Sequence, residues 1–157
     1  MEKWDNFLYK KYDQAMNFSD AVVQCESDSA YLAFPRSSAE NEFISNLFAG
    51  SQTWIGVHDI GEGGLPITRG IFARLFFKMR TFWRQIFEHG EDGSFVSIDD
   101  ADLSFTSWGK KEPHDWTHAS GVMMNGETWF TRMKNPDVIF PFVCFNRIQC
   151  KFNNIKY

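Results

Sequence analysis

The stretch LSFTSWGKKEPHDW, residues 103–116, holds a Trp108-Gly109 pair just ahead of Glu112-Pro113. A Glu-Pro turn flanked by aromatic and polar side chains is either a ligand-binding loop or an ordinary surface turn, and the surrounding segments must decide. On its N-terminal side SFVSID (94–99) alternates apolar and polar residues as a half-buried strand does, and TWIGV (53–57) is a short apolar strand. On its C-terminal side GETWF (126–130) reads as another strand and FPFVCF (140–145) as a buried one beside Pro141. Farther upstream the apolar spacing turns helical. NFSDAVVQCESDS (17–29) predicts a short helix capped by Ser19, with Asp20 in its first turn and Ala21, Val22 and Cys25 on one face. AYLAF (30–34) follows as a strand. Ser37 with Glu40 then predicts a capping box opening a second helix, which pairs Phe43 with Leu47 and Ile44 with Phe48 and closes at Gly50. Two helices early and short strands late make an α+β chain.

At 157 residues, 43% apolar and 17% aromatic, the chain fits one globular domain with a core large enough to fold alone. Charge is uneven. Residues 65–90 carry Arg69, Arg74, Lys78, Arg80 and Arg84 against the single acid Glu88, which leaves the remainder at −8 within a net charge of −4. An acidic body argues against nucleic acid as a partner, because phosphate binding needs a contiguous basic face. No run approaches the roughly 20 apolar residues of a spanning helix, and the opening MEKWDNFLYKKYD lacks the apolar core of a secretory signal. Cys25, Cys144 and Cys150 are an odd count, which leaves one thiol free or paired between molecules.

In order along the chain, NFSDAVVQC, YLAF, SSAENEFI, WIGV, LSFTSWGKKEP, GETWF and PFVCF resemble the C-type lectin-like domain, over nearly everything except residues 64–91. The likeness rests on a cysteine in the first helix, the Trp54-Ile55-Gly56 strand, Trp-Gly before Glu-Pro, and the closing Phe142-Val143-Cys144 strand. It implies a single domain over 1–146 with two helices and two small antiparallel sheets, interrupted by a helical insertion at about 64–91 and followed by a polar tail at 147–157. It further implies an outer disulfide between Cys25 and Cys144, an extracellular or secreted protein, and a long loop that in many members binds calcium and, through it, sugar hydroxyls. No cysteine stands between Cys25 and Cys144, so the inner bridge that usually pins that loop has no residues to form it. Leu8 lies near where the extra N-terminal bridge of some members would place a cysteine, and Cys150 reads as a free thiol in the tail.

Calcium takes roughly six to eight oxygen ligands, which sugar-binding members draw from Glu-Pro-Asn, a following acid, and an Asn-Asp pair after a tryptophan. Glu112 and Pro113 match that pattern; His114 offers nitrogen where the asparagine should be, and no carboxylate appears near Ala119 and Ser120. Phe130-Thr131 follows Trp129. Glu112, Asp115 and Glu127 remain as residual metal candidates off the pattern, so the expectation is a module that binds without calcium and without a cofactor. The expected ligand, a glycan or a protein, would meet Glu112, His114, Asp115 and the ring of Trp116, whereas Trp54, Trp108 and Trp129 lie in strand-like stretches and read as core. His114 and His118 near Glu112 resemble half of a zinc site, yet spacing on a loop does not guarantee a common face, and two solvated histidines are the better reading. No serine elbow, metalloprotease helix or phosphate loop occurs, so nothing points to an enzyme.

The segment LPITRGIFARLFFKMRTFWRQIFEHGE (65–91) has no counterpart in the resemblance. At helical spacing Phe72, Leu75, Phe76, Met79, Phe82, Trp83, Ile86 and Phe87 fall within an arc of roughly 160°, and Arg74, Lys78, Arg80 and Arg84 lie on the other side, with Phe77 as the exception. Such a basic amphipathic helix packs on its own domain or docks on an anionic membrane, microbial surface or partner groove; a retained intervening sequence would give the same abrupt block. Asn17-Phe18-Ser19 forms a glycosylation triplet, against which stands the expected use of Ser19 as a helix cap.

Overall fold

The computed structural model describes residues 1–59, 95–99, 101–114, 120–133 and 135–147. The expected insertion with Arg74, Lys78, Arg80 and Arg84 lies outside the described residues, as do Asp115, Trp116, His118 and Cys150.

The chain opens with two strands that periodicity did not reveal, β1 (Glu2–Trp4) and β2 (Phe7–Met16). Lys10, Lys11, Asp13 and Gln14 dilute the apolar signal of β2, where Tyr9 alone is buried. Helix α1 follows at Phe18–Ser27, then β3 (Tyr31–Leu32), α2 (Ser38–Leu47) and β4 (Thr53–Asp59). Strands β5 (Phe95–Ser97), β6 (Ser120–Asn125), β7 (Thr128–Met133) and β8 (Phe140–Arg147) complete the described elements.

Helix α1 is capped two residues earlier than its sequence signal, whereas α2 is capped by Ser37 as expected but uses Glu40 differently. The cap of α1 is Asn17, not Ser19: its Oδ1 accepts the Asp20 amide at 2.9 Å, and Ser19 lies exposed within the first turn. Asparagine outranks a serine two residues on because the chain is still extended at Asn17, the geometry a cap requires. For α2 the Ser37 hydroxyl accepts the Glu40 amide as expected, but the Glu40 carboxylate turns away from a capping box. It takes the Arg36 amide and guanidinium instead, and the buried Tyr9 hydroxyl also donates to it. At the other end Ala49 and Gly50 both adopt positive φ, and the Gly50 amide returns to the Ser45 carbonyl at 3.0 Å, closing the helix.

Strands β1, β2 and β8 form one antiparallel group, with β3 also on β8; β4, β5, β6 and β7 form a second. One parallel pairing, Trp54 opposite Phe142, joins β4 to β8 and makes the two groups a continuous sheet. The central strands are buried on both faces, which is why they read as apolar runs rather than alternations. Trp54, Met123, Phe142 and Cys144 face α1, where they pack with Phe18, Ala21, Val22 and Cys25. Ile55, Val57, Met124, Val143 and Phe145 face the other way and pack with Ile44, Phe48 and Trp129. Cys25 and Cys144 are bonded, so the bridge implied by the resemblance ties α1 to β8 inside the first of these cores.

Gly56 sets the distance between β3 and β4. A Cβ at this position would stand 2.2 Å from the Leu32 carbonyl oxygen, and the bare backbone instead donates to Ala33 at 2.7 Å and accepts from Ile98 at 2.8 Å.

Candidate functional site

The segment 107–114 leaves the core alongside β7. The Gly109 amide donates to the Trp129 carbonyl and the Trp129 amide to that of Ser107, at 2.9 and 2.8 Å, so Trp108 and Trp129 run as a short parallel pair. Their rings meet edge to face with centroids 5.5 Å apart, and Phe95 closes on Trp108 at 5.1 Å. Trp129 is fully buried, and its indole N–H donates to Asn41 Oδ1 at 2.7 Å; Asn41 Nδ2 in turn holds the Glu127 carbonyl at 2.7 Å. Trp54 is also fully buried, with its indole N–H on the Met16 carbonyl. Trp108 is half-buried.

Beyond Gly109 the chain turns sharply. The Glu112 amide donates to the Gly109 carbonyl at 3.0 Å, Lys111 adopts a left-handed φ of 66°, and the Glu112-Pro113 peptide is cis. The Glu112 side chain lies against β7, where it is only 10% exposed.

There the carboxylate meets Thr131. Glu112 Oε2 accepts the Thr131 hydroxyl at 2.6 Å, the Thr131 amide at 3.0 Å and the His114 amide at 3.1 Å. Thr131 Oγ1 also accepts the His114 amide, at 3.2 Å. Burial raises the pKa of Glu112, but the Thr131 hydroxyl and amide, the His114 amide and the histidine's charge outweigh it and hold the carboxyl below the usual range. His114 itself is exposed, and its Nδ1 sits 2.9 Å from the Lys111 carbonyl. A carbonyl only accepts, so Nδ1 carries the proton.

Thr131, where the resemblance would place an acid after Trp129, is instead the partner of Glu112. The signal that could have found it is general: a carboxylate drawn into a fold must be met by donors. Glu127 lies just before β7, four residues from Thr131 and thus roughly 13 Å along the chain. It is not brought to Glu112. Glu112 Oε2 thus already accepts three N–H and O–H donors of the protein itself, whereas Oε1 lies 3.9 Å from His114 Nδ1. Among the described residues no three His, Cys, Asp or Glu side chains converge on a metal-holding cluster.

The family model for the lectin C-type domain matches residues 14–71. Lectin BRA-3 of Megabalanus rosa is 23% identical over 129 residues, covering 81% of this chain and 62% of that protein, so the chain spans less than two thirds of this curated relative. The cow C-type carbohydrate-recognition domain of CD23, solved in the presence of an oligosaccharide, superposes with a TM-score of 0.65 at 19% identity, covering 94% of this chain and 92% of that one. A calcium-independent type II antifreeze protein superposes with a TM-score of 0.62 at 13% identity, covering 93% and 90%. The family match runs through both helices and the first core strand, and the solved structures superpose over most of the chain: the chain has the C-type lectin-like fold.

Proposed function

We propose that this domain is a binding module, not an enzyme, that recognises a carbohydrate or protein ligand without calcium through the loop carrying Glu112, His114, Asp115 and Trp116. The observation that supports it is the saturation of Glu112 Oε2 by three donors from the protein itself. Proteins of the same fold are described as a carbohydrate-recognition domain and as a calcium-independent antifreeze protein, which makes the combination reasonable for this chain. Family resemblance and the Cys25–Cys144 bridge favour an extracellular setting.

Thermal melts of the oxidised protein in millimolar calcium and in a chelator test the metal. A ligand at about 100 times its Kd stabilises by about 2.7 kcal/mol, which moves the midpoint of a domain this size by a few degrees. The expected result is superimposable melts, and a calcium-dependent rise would return sugar binding through metal as the function. Binding to immobilised glycans, measured in chelator, should be lost in Trp116→Ala. The basic amphipathic pattern of residues 67–87 supports a second reading, contact with an anionic membrane or microbial surface through Arg74, Lys78, Arg80 and Arg84. That reading fails if deleting 67–87 leaves the binding of phosphatidylserine vesicles unchanged.

A further inference from the structure

We propose that Asn17 is an acceptor for N-linked glycan. Asn17-Phe18-Ser19 is the single Asn-X-Ser/Thr triplet with X other than proline in the chain. The argument against it was that Ser19 caps a helix, and the structure removes that argument: Ser19 is exposed, and the cap is Asn17 itself. The division of labour within the Asn17 amide is what matters. Oδ1 accepts the Asp20 amide at 2.9 Å, while Nδ2 donates to the Asp20 carboxylate at 2.8 Å.

Glycosylation consumes one Nδ2 hydrogen and leaves the carbonyl oxygen untouched. The cap therefore survives the modification, and the remaining Nδ2 hydrogen can still serve Asp20. The sugar would project from the corner between β2 and α1, where Ser19 and Asp20 face solvent and the main chain is pinned by the bond from Trp54 to the Met16 carbonyl. A second observation supplies the compartment. The Cys25–Cys144 disulfide belongs to an oxidising environment, and the secretory lumen that forms such bridges also houses the transfer of glycans. In that transfer Nδ2 attacks the anomeric carbon of a lipid-diphosphate-linked oligosaccharide. The new C–N bond replaces the bond from that carbon to the diphosphate oxygen, the lipid diphosphate leaves with the electron pair, and the amide proton passes to a base of the transferase.

The test is translation of the full chain behind a cleavable leader in the presence of microsomes. Protection from added protease identifies the translocated molecules. Those molecules should carry one glycan, removed by peptide-N-glycosidase, with Asn17 converted to aspartate. Ser19→Ala should abolish the addition while leaving the Asn17 cap in place, and Ser19→Thr should keep it. Because the acceptor is modified before folding, a variant that fails to fold still reports. Protease-protected wild-type chain of unmodified mass overturns the proposal, as does a glycan that persists in Ser19→Ala.

Discussion

Thr131 supplies two of the three hydrogen bonds on Glu112 Oε2, one from its hydroxyl and one from its amide. A bond to a charged acceptor contributes about 1.5–3 kcal/mol, so Thr131→Val, which keeps the shape and deletes the donor, should lower stability by about that amount at neutral pH. Acid provides a sharper readout. A carboxyl whose folded pKa is depressed stabilises fully above its unfolded value and loses that contribution as pH falls through the folded value. Urea midpoints followed from neutral pH down through the glutamate range should therefore drop more for wild type than for Thr131→Val. Parallel curves would show that the Thr131 hydroxyl does not depress Glu112. At this same scale the sequence displayed Glu112 and the missing ligands, but not the replacement, because a partner 19 residues away becomes visible only when β7 lies beside the loop.

Among the elements, β4 is the one that the rest of the fold depends on, since it pairs with β5, β6 and β8. Its TWIGV stretch was plain from sequence, as were both helices and β8. Strands β2 and β6 were not: β2 is rich in charge, and the valine and two methionines of β6 suit a helix as well as a strand. The glycine within β4 has a steric duty that composition alone would not reveal. Gly56→Ala would drive a methyl group into the Leu32 carbonyl and should cost about 1–3 kcal/mol or more, as overpacking against backbone does. Chemical denaturation measures it, and a loss below half a kilocalorie would mean that β3 moves aside freely.

Across the whole molecule, the Cys25–Cys144 bridge joins residues 119 apart and encloses most of the chain. Closing a loop of that length constrains the unfolded ensemble by about 4–5 kcal/mol in the chain-entropy account. The double variant Cys25→Ala/Cys144→Ala should lose stability on that scale, with a midpoint well below the oxidised wild type. A melt that matches wild type would make the bridge dispensable. The sequence by itself determined the α+β class, the two helices and strands β3, β4, β5, β7 and β8, because these follow from local period, capping residues and residue chemistry. Only the tertiary structure decided that Asn17 caps the first helix, that Glu40 serves Arg36 and Tyr9, and that Thr131 closes on Glu112. Each of those is a competition for hydrogen-bond partners, and its outcome depends on which groups distant segments bring within about 3 Å of one another.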